Sequence, residues 1–417
     1  MLIDLSFCRE QFPALKQKVG EYPVAFLDGP GGTQVPKSVI DAIVDYLVRC
    51  NSNTHGAFRT SMLTDDVIRA AREAMKDMLG ARSPDEIAFG QNMTTLNFAV
   101  ARALARGARK GDEVVATEMD HHANIDPWST LQDYGLVFRQ VRFDPTSCTL
   151  DLDDLESKLS QKTRLVAVGY ASNAVGTVND IKEIVRMAHE VGALVLVDAV
   201  HYAPHGPIDV IDLDCDFLLC SAYKFFGPHV GVLYCKKEVG DVLSPFKVAP
   251  QEEAMPYKFE TGTLNHEGIA GITAAVDFIA SLGKPWEEQM DGLSGLTGRR
   301  RSVVAGMRAI ESHERPLLAR LLEGLSSIPG VKIYGPPPGY PRTPTVSFTL
   351  AGHAPCEVAK FLGERGLFVW DGDFYASTLV KRLGLSETGG LVRVGLAPYN
   401  TLDEIERLLS AVTHLAS

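Results

Sequence analysis

The sequence predicts an α/β fold, a large domain on a mostly parallel sheet followed by a smaller C-terminal α+β domain. Three observations predict it. Apolar runs at Glu113–Thr117, Val137–Val141, Leu165–Gly169, Ala193–Asp198 and Phe217–Ser221 read as strands, and continuous rather than alternating apolar character marks a sheet covered on both faces. Amphipathic stretches separate these runs, which gives strand, helix and strand in succession and hence right-handed crossovers. The texture then changes after Leu282, where Gly283-Lys284-Pro285 punctuates the chain.

The elements follow in order. A helix is expected from about Pro36 to Arg49, with proline near its start. A second is expected over Thr64–Leu79, with Thr64 as N-cap and Gly80 just past the end. Leu96–Leu104 reads as an apolar helix, and in Ile181–Glu190 the residues Ile181, Ile184, Val185 and Ala188 share one face. A long charged helical region runs to about Ser327, and Pro336-Pro337-Pro338-Gly339 is a loop. Strands at Thr345–Leu350, Leu367–Trp370 and Leu391–Val394, with helices at Cys356–Arg365 and Leu402–Leu415, make up the smaller unit. Two unequal domains leave a cleft between them, a favoured place for a ligand.

The composition narrows the function classes. The chain has 417 residues, 45% apolar and 22% charged, with 41 Lys+Arg against 52 Asp+Glu and a net charge of −11. That excludes disorder, collagen and a disulfide scaffold, and it speaks against a nucleic-acid partner, which needs a basic surface. No apolar run reaches the roughly 18 residues of a membrane span, and the first residues lack a signal-peptide pattern. The seven cysteines are scattered with no CxxC pair, so free thiols and a cytoplasmic setting are expected. Asp120, His121 and His122 offer metal-type donors, but adjacent histidines rarely point the same way and no third ligand is evident, so no metal site is expected.

Several reactive residues fall at the C-terminal ends of predicted strands, where α/β sheets place their sites. Asp198 ends LVLVD, Ser221 and Lys224 follow FLLC, Asn173 follows LVAVGY, and Asp120 to His122 follow EVVATEM. Singly, each reads as a strand-end turn, and the shared edge is the informative point. Ser221-x-x-Lys224 could start a serine acyl-enzyme motif, but the Lys-Thr-Gly element that chemistry needs is missing. What remains is a partly desolvated lysine able to form a Schiff base with an aldehyde cofactor. Asp198 would be the acid at that cofactor's ring nitrogen. Asn92-Met93-Thr94-Thr95, opening a helix, would be a phosphate cradle.

The motifs together resemble the class V aminotransferase family of pyridoxal phosphate enzymes, most closely the SUF-type cysteine desulfurases and selenocysteine lyases. The resemblance runs from Phe26-Leu27-Asp28 to the C-terminal helix. It is carried by Asp120–Ile125 with Pro127-Trp128, Ser172-Asn173 with Gly176-Thr177, and Asp198–His201. Ser221–Lys224 with Gly227-Pro228, Phe259–Thr263, and Arg393-Val394 with Tyr399-Asn400 complete it. It implies the pyridoxal phosphate-dependent transferase fold of type I with a seven-stranded sheet. Residues 1–25 would belong with the small domain, 26–282 would form the cofactor-binding domain, and 283–417 the small domain. Lys224 would carry the cofactor and shuttle the Cα proton, with Asp198 at the ring nitrogen and His121 stacked on the ring. Asn173 and His201 would lie near the 3′-oxygen, His201 standing where many relatives have glutamine. Thr94 with Met93, Ser221 and Tyr223 would hold the phosphate, with Tyr223 replacing a histidine. Thr263 would reach the neighbouring active site of a homodimer. Arg393 would clamp the substrate carboxylate, and His55 matches a substrate-side histidine.

One departure bears on the reaction. Tyr375 stands where the desulfurases carry their loop cysteine, and Trp370 stands where they carry arginine. A phenol is mostly protonated at neutral pH and a poor nucleophile toward sulfur. Cys356, ten residues before Gly366, reads as structural. The expected activity is therefore β-elimination at a carbon–sulfur bond of a small, cysteine-type amino acid, with Tyr375 lining the substrate pocket. An aminotransferase, an epimerase, a desulfurase using another thiol and a non-catalytic dimeric scaffold are the alternatives.

Overall fold

The computed structural model describes residues 3–417; the first two residues of the expected N-terminal segment 1–25 lie outside them. Its centre is a seven-stranded mixed sheet. The strands are β1 (Ile87–Gly90), β2 (Glu113–Thr117), β3 (Val137–Val141), β4 (Thr163–Gly169), β5 (Leu194–Asp198), β6 (Phe217–Ser221) and β7 (Gly231–Cys235). Their order across the sheet is β1-β7-β6-β5-β4-β2-β3. Strand β7 runs antiparallel to both neighbours and the other four pairs are parallel.

The continuous apolar strands have a direct cause. Successive side chains point to opposite faces, and here both faces are covered. Val166, Val168, Val195 and Val197 join one core with the helix Ile181–Glu190, while Leu165, Ala167 and Leu196 join the other with the helix Met93–Gly107.

The second unit is an antiparallel sheet of β8 (Val331–Tyr334), β9 (Thr345–Leu350), β10 (Trp370–Gly372) and β11 (Leu391–Gly395), in the order β8-β9-β11-β10. The helices Pro355–Gly363 and Leu402–Leu415 cover it. Ala25 and Leu27 also pack in this core, and Ala25–Phe26 pairs with Leu367–Phe368. The helix Gly298–Ser327 serves both units. Val303, Met307 and Ile310 lie in the core beneath the large sheet, whereas Leu317, Leu321 and Leu325 lie in the core of the small one. A Cβ on Gly306 would stand 2.0 Å from the Ile279 carbonyl oxygen, so glycine sets how closely this helix meets His266–Gly283.

Several expected boundaries move. The second helix starts at Arg59, and Thr64 lies inside it, buried, with its hydroxyl donating to the Cys50 carbonyl at 3.0 Å rather than capping. Leu367–Trp370 is two strands, since Leu367–Phe368 pairs with Ala25–Phe26 and Trp370 begins β10, which pairs with β11. Residues 284–297 form a short 3-10 turn and loop ahead of the long helix. Cys356 is not a core residue: it is exposed in the first turn of its helix, while the other six cysteines are buried.

Candidate active site

A cavity of about 450 Å³ opens at the C-terminal ends of β4, β5 and β6 and is closed on the far side by β10 and the loop after it. Lys224 sits in the 3-10 turn that follows β6 and donates to the Pro30 carbonyl. Burial, reinforced by the Arg393 charge, pulls its ammonium down to about 7, against the opposing pull of Asp198 and Asp28. Near neutral pH a large share of this lysine is therefore the free amine, the form that attacks an aldehyde.

Asp198 ends β5 and accepts the Val200 N–H at 2.9 Å. Burial pushes it up to about 6, with Val200 and Lys224 resisting. It lacks an ion-pair partner among the described residues, so a protonated ring nitrogen would relieve it. Asp120 lies behind, accepting the Gly169 N–H at 2.6 Å and the Asn124 amide at 3.2 Å. Burial and the nearby Asp198 raise it to about 8. No cluster of three or more metal-ligating side chains occurs among the described residues.

The helix Met93–Gly107 points its N-terminus into the cavity. Asn92 caps it by accepting the Thr95 N–H at 2.9 Å, and Ser221 Oγ accepts the Met93 N–H at 3.3 Å. Gly231 makes this docking feasible, since a Cβ there would stand 2.4 Å from the Asn92 carbonyl carbon. Met93, Thr94, Ser221 and Tyr223 all line the cavity. With the Met93 and Thr95 N–H groups committed, the Thr94 N–H and the neighbouring hydroxyls are what this helix start offers an anion.

His121 accepts the Ala123 N–H at Nδ1, 3.0 Å, and burial with the Lys224 charge holds it down to about 4, so it is neutral. Its ring stacks against Tyr375, with centroids 5.3 Å apart and planes 20° apart. His201 places Nε2 3.0 Å from the hydroxyls of both Thr343 and Thr345, and burial keeps it neutral. Arg393, on β11 and 4% exposed, donates to the Asn173 carbonyl at 2.9 Å and lies 4.1 Å over the Phe374 ring. Its Nε and the Asn173 Oδ1 are buried without partners.

The loop Asp373–Tyr375 is pinned. Phe374 and Tyr375 both have φ of 56°, a backbone region that costs non-glycine residues of order 1–2 kcal/mol each. Asn173 Nδ2 donates to the Phe374 carbonyl at 2.9 Å, the His122 N–H to the Tyr375 carbonyl at 2.7 Å, and the Tyr375 N–H to Asp373 Oδ1 at 3.0 Å.

Eleven of the thirteen sequence-derived site residues thus line one cavity: Met93, Thr94, His121, Asn173, Asp198, His201, Ser221, Tyr223, Lys224, Tyr375 and Arg393. His55 and Thr263 do not. His55 is exposed with Nδ1 3.5 Å from Asp65, and Thr263 is exposed in the loop before the helix His266–Gly283. The wall formed by Pro30 and Gly31 went unread in the sequence, although the Gly-Pro-Gly-Gly run at 29–32 is the signal for a close backbone approach. No cysteine lines the cavity.

A family model described as "Aminotransferase class-V" matches residues 25–291 and 302–408. A "Probable cysteine desulfurase" of Synechocystis sp. is 34% identical over 411 residues, covering 97% of this chain and 94% of that protein. A "Cysteine desulfurase" of Dickeya dadantii is 33% identical, with 97% and 95% covered. Among solved structures, an apo cysteine desulfurase from Thermococcus onnurineus superposes with a TM-score of 0.87 at 29% identity, covering 100% of this chain and 98% of that one. A cysteine desulfurase from Escherichia coli gives 0.82 at 27%, with 99% and 98% covered.

Proposed function

This chain belongs to the aminotransferase class-V family, and on that premise we propose that it is a pyridoxal phosphate-dependent enzyme that cleaves the carbon–sulfur bond of a cysteine-type amino acid by β-elimination. The observation that carries the reading is a cavity holding Lys224, Asp198 and Arg393 together, with Tyr375 and no thiol on its outer wall. The residues fit the cofactor. Asp198 is a buried carboxylate suited to a cationic ring nitrogen, the Thr94 N–H at the helix start and the nearby hydroxyls suit a phosphate, and Asn173 Oδ1 and Arg393 Nε are buried without partners.

When bound, pyridoxal phosphate supplies an aldehyde for amines and a cationic ring that draws electrons from the substrate Cα. The side chains do the rest. Lys224 Nζ would hold the cofactor and, as a free amine, would take the proton from the substrate Cα. Asp198 would hold the proton on the ring nitrogen, and the neutral ring of His121 would cover the cofactor. Asn173 and His201 would serve the 3′-oxygen, and the hydroxyls of Thr94, Ser221 and Tyr223 would hold the phosphate. Arg393 orients the substrate through its carboxylate. The β-sulfur then leaves as a thiolate, and hydrolysis gives a 2-oxo acid and ammonia, with no enzyme thiol required.

The assembly proposed is a homodimer in which Thr263, and with it His55, reaches the neighbouring cavity. Both residues sit away from the cavity of their own chain, and Val44, Leu47 and Val48 form an exposed apolar face on the helix Lys37–Arg49. No described helix is long and apolar enough to cross a membrane.

The test is product identification with the cofactor-loaded protein, offered L-cysteine, L-cystine and a cysteine S-conjugate separately. A 2-oxo acid with ammonia is the expected outcome. Alanine from L-cysteine would overturn the elimination reading in favour of desulfuration through another thiol.

A further inference from the structure

We infer that Thr345, with Thr343 beside it, is a positioning residue for the cofactor: its hydroxyl donates to His201 Nε2, which places the ring's one proton on Nδ1 and makes His201 an N–H donor toward the cavity. The inference rests on the cofactor reading given above.

His201 is held from outside its own unit. It follows β5 of the large sheet and lines the cavity, whereas Thr343 precedes β9 of the small sheet and Thr345 opens it. Both hydroxyls stand 3.0 Å from His201 Nε2. The threonines are themselves tied down. The Thr343 N–H donates to the Gly176 carbonyl at 2.9 Å, and Arg342 Nη2 donates to the Thr345 carbonyl at 2.8 Å. A Cβ on Gly176 would stand 2.7 Å from that Thr345 carbonyl oxygen, so glycine lets the two units meet here.

The direction of the hydrogen bonds follows from the protons available. A threonine hydroxyl donates one, and a neutral imidazole donates from one nitrogen and accepts at the other. Burial keeps His201 neutral, and the His205, Arg393 and Lys224 charges act the same way. Thr345 is fully buried, and its hydroxyl has no partner but His201 Nε2 among the described residues. With the ring proton on Nε2, the Thr345 proton would be stranded in the interior, the costly arrangement for a buried donor. With Nε2 bare, Thr345 donates to it, and Thr343 divides its proton between Nε2 and the Gly176 carbonyl 3.3 Å away. The ring proton is then on Nδ1. That nitrogen makes no hydrogen bond among the described residues and is not sealed in the core as His313 Nδ1 is, so it opens on the cavity that His201 lines. The neighbouring His205 ring, 5.6 Å away, is engaged through Nδ1 by Glu314 at 3.0 Å.

The consequence is chemical. A ring N–H stabilises an anionic oxygen, whereas a bare nitrogen in its place repels one. Thr345 therefore decides whether His201 favours the charged or the neutral form of the cofactor's 3′-oxygen, although it does not line the cavity itself. Without the donor, that oxygen would hold the proton of the adjoining Lys224 Schiff base more tightly.

Two readouts test this. Long-range proton–nitrogen NMR of the cofactor-free chain, labelled at histidine and assigned with His201→Gln, should show His201 as the Nδ1–H tautomer. Thr345→Val should mix in the Nε2–H form. In the cofactor-loaded protein, the pH midpoint of the cofactor's absorption change should rise by about one unit in Thr345→Val and stay at the parent value in Thr345→Ser. In a His201→Gln background, whose amide carries its own donor, Thr345→Val should leave the midpoint unmoved. Thermal melting shows that each variant is folded. An Nε2–H tautomer in the parent, a midpoint unmoved by Thr345→Val, or an equal shift in the His201→Gln background would overturn the inference. If the chain takes up no pyridoxal phosphate, the cofactor reading fails, while the tautomer signal still decides what Thr345 does to His201.

Discussion

The two walls of the cavity are held by different physics. The inner wall, with Asp198, Ser221 and Lys224, grows from strand ends of a sheet buried on both faces, and its positions are fixed by parallel pairing and packing. The outer wall, from Trp370 to Tyr375, rests on a three-residue edge strand and a left-handed pair of residues pinned by three hydrogen bonds. The residues proposed to hold the cofactor sit mainly on the first wall, and Tyr375, proposed to stand in place of a thiol, sits on the second. Backbone buried in a sheet tolerates little change of position, so chemistry diversifies on the side where a loop can be rebuilt.

Four experiments sharpen or break that contrast. On the inner wall, Lys224→Ala should reduce product formation by roughly 10⁴-fold, measured as 2-oxo acid release from the loaded protein. Retention of activity within tenfold would place the reactive amine elsewhere. Across the cavity on β11, Arg393→Ala should cost roughly 10- to 100-fold in kcat/KM, the value of a charge-assisted hydrogen-bonded pair, and should appear mainly in KM.

The third prediction concerns pH. The Lys224 value of about 7 lies below its ordinary 10.5, so uptake of pyridoxal phosphate by the cofactor-free chain should accelerate as pH rises through about 7, followed by absorbance. The same shift has a linked sign. Between about 7 and 10.5 the unfolded chain binds more protons at this lysine than the folded chain does, so its share of stability rises with pH. Melting temperatures of Lys224→Met and of the parent should therefore converge from neutral to alkaline pH.

The smallest effects belong to the outer wall. Tyr375→Phe should keep the ring stack on His121 and change kcat/KM less than threefold, while Tyr375→Ala should cost about three- to tenfold. Unchanged kinetics in Tyr375→Ala would remove Tyr375 from the substrate pocket.

The same contrast explains what was legible in the sequence. Strands β2, β3 and β6 and the helix Ile181–Glu190 lie at their expected bounds, because long apolar or amphipathic runs report burial directly. Strands β1 and β7 were not read. Each opens or ends on glycine, and they pair antiparallel to complete a sheet whose other members are joined by crossovers. Thr64 looked like a helix cap because its side chain suits one, but tertiary contacts to Cys50 and Tyr46 claim it. In the site, residues at strand ends were legible from motif spacing. Those held by the fold at large, such as Thr343 and Thr345 against His201 or Gly31 beneath Trp370, were not, because the partners lie at least 142 residues apart in the sequence.

The helix Gly298–Ser327 leaves the two cores with a common shaft. Its first half is locked to His266–Gly283 where Gly306 lets the backbones nearly touch, its second half carries the small sheet, and Pro316 lies at the changeover. Neither core can melt without stripping apolar contacts from the other's strut, so heating should give a single calorimetric transition rather than two. The one compliant point is the proline, whose missing N–H removes a rung of the helix ladder. A rocking of the outer wall toward the inner would pivot there, closer to the end of the shaft that carries the small sheet.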